Sequence, residues 1–382
     1  MTKKSILILT DWYEPGYKAG GPIQSCRNFV AGMHELYSIS VLTTDRDLGE
    51  TSPYPGIKIN EWINRAPGIP VYYADKDSLK GSLVADLIES RQPDYIYLNS
   101  MYSYRFSILP MMLVWRKKIQ PQIVLAPRGM LQEGALKFKP LKKKLFIFLL
   151  NIMRIPGRIH FHATDPQERN DIFRQFPKAG RVEVIPNFSG EMPAGTTPIK
   201  KTQGHLCCVY ISRIIPKKNI LFFLKLLNMI PENIQLEFTI YGEVEDDKYW
   251  RQAMAVMHFL PKNITVLYRG PLPHEKVIST LAEHHVFVLP SKAENFGHAI
   301  FEAFAAGRPC LISDKTPWHG LKQEMIGWDL SLENMGDWIS AIREAADFDQ
   351  QTFNKWSECC RQFAKAHQER SDLKQAYSRL FS

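Results

Sequence analysis

Two acids eight residues apart, Glu294 and Glu302, bracket Asn295-Phe296-Gly297-His298, which follows an apolar run and opens a helix-forming stretch. Glu294 then precedes the helix and Glu302 lies about one and a half turns inside it, so both reach a ligand held over the helix start. Between them the backbone N–H groups of Phe296, Gly297 and His298 are available where a helix start attracts phosphate or hydroxyl oxygens. Gly297 permits close approach. Carboxylates accept hydrogen bonds from vicinal diols, which suits a sugar or ribose better than a bare phosphate. Taken singly, Glu294 reads as a helix cap and Glu302 as a solvated helix residue.

A second group is cationic. In Tyr210-Ile211-Ser212-Arg213-Ile214-Ile215-Pro216-Lys217-Lys218-Asn219, Arg213 and Lys218 follow another apolar run, with Lys217 a competitor for the second position. A guanidinium and an ammonium in a dry site stabilise a departing diphosphate by several kcal/mol without a metal. In the first half, Glu14-Pro15-Gly16-Tyr17-Lys18-Ala19-Gly20-Gly21-Pro22 offers backbone amides at Gly20 and Gly21 to a phosphate or an acceptor hydroxyl. It is not Gly-x-Gly-x-x-Gly, which counts against a nicotinamide-dependent dehydrogenase.

These residues need strands behind them and helices ahead, and the pattern supplies both. Short β-rich runs alternate with helical stretches at Ser5–Thr10, Ser38–Thr43, Asp94–Leu98, Gln122–Ala126, Arg158–Phe161 and Val182–Ile185. After a Pro/Gly/Thr-rich linker the alternation restarts at Leu206–Ile211, Leu236–Tyr241, Ile264–Leu267, His285–Leu289 and Pro309–Ile312. The division expected is therefore 1–190, a linker at 191–204, 205–365, and a C-terminal helical segment 366–382 that could pack back on the first domain. Two doubly wound α/β domains put ligands at the carboxyl ends of their strands, and the active site is expected between the domains. The 382 residues, 45% apolar and 23% charged, suffice for two cores and exclude disorder, collagen and coiled coil.

The passage Leu289 to Pro309 resembles the Glu-x7-Glu signature of retaining glycosyltransferase family 4, whose fold is GT-B, down to the Pro-Ser before it and the Glu-Ala-x-Ala-x-Gly-x-Pro after it. The resemblance spans nearly the whole chain and is strongest over 206–320. It implies that Glu294 contacts donor-sugar hydroxyls and Glu302 the ribose, with Phe296, Gly297 and His298 donor-binding. Arg213 and Lys218 fall on the positions that clamp the donor diphosphate, although Ser212 and Asn219 replace the family's usual glycines. Gly242 matches a strand-ending glycine, and Gly270-Pro271-Leu272 a turn whose backbone meets the base. Gly20 and Gly21 resemble the family's Gly-Gly loop. At Pro127-Arg128-Gly129-Met130-Leu131, Arg128 stands where many members have His and resembles a branch serving bacterial surface polysaccharides. Arg128 cannot act as a base, so its implied part in the catalytic set is electrostatic or orienting. Asn187 matches a hinge-adjacent Asn and is carried over as structural, with proximity to the donor left open. The implied activity is transfer of a sugar from a nucleotide-diphosphate donor to a glycan or lipid-diphosphate-linked acceptor, with retention and no cofactor or metal.

The net charge of +9 sits wholly in residues 1–190, and residues 101–158 hold 12 basic residues against the single acid Glu133. Within them, Lys137 to Lys144 precede Leu145-Phe146-Ile147-Phe148-Leu149-Leu150, which reads either as an element contacting an anionic membrane through 137–154 or as a solvated basic edge with a core helix behind it. No apolar run approaches the roughly 20 residues that span a bilayer. The N-terminal apolar run is shorter than a signal-peptide core, and the six cysteines lack Cys-x-x-Cys spacing, which together point to the reducing cytosol. The expected location is cytoplasmic, on the inner face of the plasma membrane. His160 and His162 alternate on one strand without a third ligand at sensible spacing, so no metal site is expected. Trp318 has two readings, against a sugar face or packed in the core. Rival functions are a nucleotide-sugar epimerase or hydrolase on the same scaffold, and a noncatalytic protein binding membrane or nucleic acid through the basic half. The donor motifs lie in the electrically neutral half, which opposes the nucleic-acid reading.

Overall fold

The computed structural model describes residues 3–66, 68–77, 79–116, 121–137, 140–190, 192–193, 195, 199–369 and 372–382. Lys117, Lys118, Phe138 and Lys139 of the basic stretch, and Glu191, Ala194 and 196–198 of the linker, lie outside the described residues. The chain divides into two compact units, Met1–Phe188 with Ser371–Ser382, and Ser189–Arg370.

The first unit holds β1 (Ser5–Leu9), β2 (Ser38–Thr44), β3 (Trp62–Ala66), β4 (Ile69–Ala74), β5 (Tyr95–Leu98), β6 (Gln122–Leu125), β7 (His160–Ala163) and β8 (Val182–Val184). Their order is β3-β4-β2-β1-β5-β6-β7-β8, parallel except where β3 runs antiparallel to β4. The period-two pattern of a strand places alternate residues on opposite faces. Along β1, Ile6 and Ile8 enter one buried cluster with Phe29 and Tyr97, while Leu7 and Leu9 enter another with Ile96 and Leu98. Both faces of the sheet are thereby covered, as a parallel sheet requires. The helix Asp372–Leu380 belongs to this unit; Tyr377, Leu380 and Phe381 sit in the Phe29 cluster, and the Tyr377 ring stacks on Phe188 at 4.6 Å between centroids.

The second unit holds β9 (His205–Ile211), β10 (Gln235–Tyr241), β11 (Ile264–Tyr268), β12 (Val286–Leu289), β13 (Cys310–Ser313) and β14 (Gly327–Leu330), all parallel, in the order β11-β10-β9-β12-β13-β14. Its central strand β12 is an unbroken buried run, Val286-Phe287-Val288-Leu289. Successive crossovers from β9 go first toward β10 and later toward β12, so β9 and β12 flank the point where the winding reverses, the usual ligand position in such sheets. In the first unit β1 and β5 flank the corresponding point.

Three strands, β3, β4 and β14, were not expected from the sequence. Pro70, near the start of β4, suppresses the strand signal and is tolerated because it pairs only with Asn64 of the edge strand β3, one residue before the ladder to β2 begins at Val71. In β14, Gly327-Trp328-Asp329-Leu330 lacks an apolar run and is ordered by its ladder to β13.

Candidate functional site

In the second unit the loop after β9 carries the two cations and the loop after β12 carries Glu294. Gly242, at the end of β10, fixes the first of these loops: a Cβ there would lie 1.8 Å from the Ser212 carbonyl oxygen, so only glycine admits the crossing. Ser212 N–H donates to the Tyr241 carbonyl at 3.1 Å and Ile214 N–H to that of Glu243 at 2.8 Å. Asn219, standing in place of a glycine, adopts the left-handed conformation at φ 58° as the N-cap of the helix Ile220–Leu227. Asparagine is among the few side-chain-bearing residues that do so readily, so the substitution keeps the turn. The two loops are joined directly, Lys292 N–H donating to the Lys217 carbonyl at 2.8 Å.

This scaffold brings Lys218 and Glu294 together. Lys218 Nζ lies 2.5 Å from Glu294 Oε1, with both side chains largely buried, and Ser291 Oγ donates to the same oxygen at 2.6 Å. Burial, the largest influence on Glu294, acts to raise its pKa, but the Lys218 charge and the hydrogen bonds from Lys218 and Ser291 outweigh it and hold the carboxyl below its ordinary value. Glu294 is therefore an anion fixed beside a cation. Lys218 makes this contact, and the Lys217 charge acts on the same carboxyl. Arg213 is separate from the pair: Nη1 meets Glu245 Oε1 at 3.0 Å and Oε2 at 3.3 Å, with both side chains about one-third exposed.

Gly297 caps the helix His298–Ala305 in the left-handed conformation, φ 76°. Glu302, one turn into that helix, lies 3.7 Å from His274 Nδ1, which follows Leu272 by two residues. The proposed ribose acid and the proposed base-contacting turn are thus neighbours. Leu272 is half-buried against the core, and Phe296 and His298 are buried with ring centroids 4.8 Å apart. Trp318 takes its packed reading: it is buried against Phe296, Phe301 and Phe304, and its Nε1 donates to the Phe296 carbonyl at 2.5 Å. By that bond it braces the segment ahead of Gly297.

In the first unit Gly20 and Gly21 open the helix Gly21–Met33 beyond β1. Asp11, also after β1, accepts from Ser103 Oγ at 2.8 Å, and burial raises its pKa despite that bond. Arg128 follows β6 with φ 55°. Its Nη2 donates to Tyr97 Oη at 2.9 Å and Asn99 Oδ1 at 2.7 Å, and its Nη1 to Asn187 Oδ1. The chain continues to His162: Tyr97 Oη meets His162 Nδ1 at 2.6 Å, and His162 Nε2 meets the Ile185 carbonyl at 2.7 Å. Since a carbonyl only accepts, Nε2 carries the proton and Nδ1 accepts from the tyrosine. Burial and then Arg128 push the His162 pKa down to about 3, so the imidazole is neutral. Next to Arg128, Gly129 N–H donates to Glu168 Oε1 at 2.5 Å while Thr164 donates twice to Oε2. Arg128 is thus a held charge whose hydrogen-bond acceptors are Tyr97, Asn99 and Asn187, with the Glu168 carboxyl acting on it through space.

Sequence reasoning missed Ser291, Glu245, His274 and Asp11. Ser291 was legible as part of the Pro-Ser before Glu294; the other partners come from loops whose meeting only the sheet order determines. Among the described residues one trio, His205, Cys207 and His285, lies close enough to share a metal, at the opposite ends of β9 and β12. Both His285 nitrogens are already engaged there, Nδ1 accepting from Cys207 N–H at 2.9 Å and Nε2 donating to the Lys200 carbonyl at 2.9 Å. A metal would have to break that backbone brace.

The chain is 30% identical over 161 residues to the UDP-Gal:alpha-D-GlcNAc-diphosphoundecaprenol alpha-1,3-galactosyltransferase of Escherichia coli, a match covering 40% of this chain and 38% of that protein. Aligned sequence thus spans well under half the length of that relative. Structural similarity extends further: sucrose-phosphate synthase from Thermosynechococcus elongatus superimposes with a TM-score of 0.68 at 17% identity, covering 99% of this chain and 98% of the other. Anabaena HepE in complex with UDP and glucose gives 0.67 at 13% identity, covering 98% of each chain. The fold is that of the GT-B glycosyltransferases, and residues 198–320, which carry Arg213, Lys218, Glu294 and Glu302, match the family described as Glycosyl transferases group 1.

Proposed function

We propose that the protein is a retaining hexosyltransferase that moves a sugar from a nucleotide-diphosphate donor to a hydroxyl of a lipid-diphosphate-linked glycan in cell-surface polysaccharide synthesis. The observation that carries this reading is the buried Lys218–Glu294 pair at the winding reversal of the second sheet, next to the helix start at Gly297. A diphosphate needs cations and a sugar needs acceptors, and this edge presents both within one hydrogen bond of each other. The E. coli relative, by its name, uses UDP-galactose and a diphosphoundecaprenol-linked acceptor, and HepE holds UDP and glucose, which supports the same substrate classes here.

In the proposed reaction the bond between the anomeric carbon and the diphosphate oxygen breaks as the acceptor oxygen bonds to that carbon from the same face. The acceptor proton passes to the departing phosphate oxygen, so no side-chain base is required. Arg213 and Lys218 offset the charge developing on the leaving diphosphate, and the reading calls for no metal ion. Glu294 orients the sugar and Glu302 the ribose. Leu272, Phe296, Gly297 and His298 form the rest of the donor surface on the second unit; on the first unit Gly20 and Gly21 offer donor-binding amides, and Arg128 orients groups near the acceptor. Among the described residues no helix is long and apolar enough to cross a membrane, and the proposed site of work is the cytoplasmic face of the plasma membrane.

The test is a panel of UDP-, GDP- and dTDP-sugars scored for thermal stabilisation, then for turnover with polyprenyl-diphosphate-linked glycans. One donor class should stabilise the protein and support transfer, and Glu294→Gln should cut turnover by about a hundredfold or more. Donor turnover that needs no acceptor would replace transfer by hydrolysis or epimerisation, and stabilisation by none of the panel would sink the reading.

A further inference from the structure

The helix Pro140–Ile152 has two unlike faces. Ile147 and Leu150 are buried in the first unit, and Phe146 packs on the Tyr102 ring at 5.7 Å. The opposite face is apolar and bare: Leu141 is 83% exposed, Leu145 58%, Phe148 59%, Leu149 45% and Ile152 61%. At about 100° per residue these five fall within an arc of about 100°, with Lys142 and Lys144 on its two flanks. Such a stripe is ordinarily the one a helix turns toward a core.

Its lysines are not equivalent. Lys143 Nζ donates to the Ala135 carbonyl at 2.6 Å and lies 5.0 Å above the Tyr102 ring, so it ties the helix to the unit beneath. Lys142 and Lys144 are exposed beside the bare stripe. An apolar stripe flanked by long basic side chains matches a leaflet of anionic lipid, in which aliphatic and aromatic groups reach the acyl boundary and the ammonium groups snorkel to phosphates. The surrounding charge agrees, since residues 101–158 hold 12 basic residues and one acid. A protein partner of general kind would not require cations on both flanks.

We infer that this helix is a membrane-docking element lying in the plane of an anionic leaflet, with Leu145, Phe148 and Ile152 inserted and Lys142 and Lys144 on the headgroups. It deepens the proposed function by naming the surface that meets the membrane, and it rests on that reading only for the choice of leaflet.

The experiment is co-sedimentation of the full chain with vesicles of phosphatidylcholine containing phosphatidylglycerol, and with phosphatidylcholine alone. The parent protein should bind the anionic vesicles in a salt-sensitive manner. Lys142→Glu/Lys144→Glu should weaken this by more than about tenfold, and Leu145→Gln/Phe148→Gln should weaken it by at least about tenfold. Lys143→Gln is the contrast: it should lower thermal stability more than vesicle binding. Phe148→Trp supplies a direct reading, its emission shifting to the blue on anionic vesicles. Parent protein that stays in the supernatant, or apolar-face variants that bind as well as the parent, would overturn the inference. A concentration-dependent dimer abolished by Leu145→Gln/Phe148→Gln would overturn it too, by naming a second copy as the occupant. Donor-induced thermal stabilisation, measured without vesicles, tests the donor-site reading independently of docking.

Discussion

The carboxyl edges of the two sheets both carry partly or largely buried cations, and those of the two edges are compensated differently. In the second unit Lys218 faces an anion, Glu294, and Arg213 faces Glu245. In the first unit Arg128 is ringed by neutral oxygens from Tyr97, Asn99 and Asn187. Ion pairs can exchange one anion for another, so the second edge is suited to admitting a diphosphate. A guanidinium held by neutral acceptors has no directly paired anion to displace, so the first edge holds its cation in place rather than exchanging partners. Exchange and permanence are distinct uses of cations at topologically similar places.

The largest expected effect follows from cutting the buried pair. Lys218→Met strands the Glu294 carboxylate among buried groups and should cost about 3–5 kcal/mol of stability, read from urea unfolding. The double variant Lys218→Met/Glu294→Leu removes both charges and should recover most of that loss while remaining inactive. Equal stability of parent and single variant would mean that the carboxylate is solvated and the contrast between the two edges is lost.

Arg128→Ala comes next. It removes the donor from three oxygens, and about 2–4 kcal/mol of stability should go with it. Because Arg128 lies in the first unit and is proposed to act on the acceptor side, thermal stabilisation by the nucleotide sugar should persist while transfer falls. The same network has a pH signature. His162 has its pKa depressed to about 3 by burial, so the unfolded chain binds the extra proton first, below its ordinary value. Stability is then complete above about pH 6.5 and declines as pH falls, by about 2 kcal/mol at about pH 5. His285, depressed to about 4, contributes the same sign in the second unit. Comparing His162→Gln with the parent isolates the first unit: the variant should lose less of its urea midpoint over that interval.

How much of this was readable in advance depended on whether a partner lies nearby in sequence or is delivered by topology. Glu294 and Glu302 are legible because one strand, one turn and one helix hold them in a continuous stretch. The pairing of Lys218 with Glu294 depends on β9 lying beside β12, which alternation implies but spacing does not specify. Glu245 and His274 are ordinary polar residues in loops, and only the order β11-β10-β9-β12 brings them to Arg213 and Glu302. Arg128 was found through its neighbours in sequence, but its acceptors come from β5 and from beyond β8, too far apart to leave a local pattern. Pro70 hid a strand because proline is tolerated at a strand's start, ahead of the ladder to β2.

Glu245→Gln should have the smallest effect and probes exchange most directly. The Arg213–Glu245 pair is about one-third exposed, so its own worth is under about 1 kcal/mol and the variant should unfold within about 0.5 kcal/mol of the parent. If Glu245 only occupies Arg213 until a diphosphate displaces it, neutralising Glu245 removes a competitor, and titration calorimetry should show the nucleotide sugar binding about two- to fivefold more tightly. The gain should fade with added salt, because surface charge pairs are screened. Weaker binding by Glu245→Gln would mean that the carboxylate aims the guanidinium at the ligand. Arg213 would then resemble Arg128, a cation held in place by its neighbours, and exchange would be confined to Lys218.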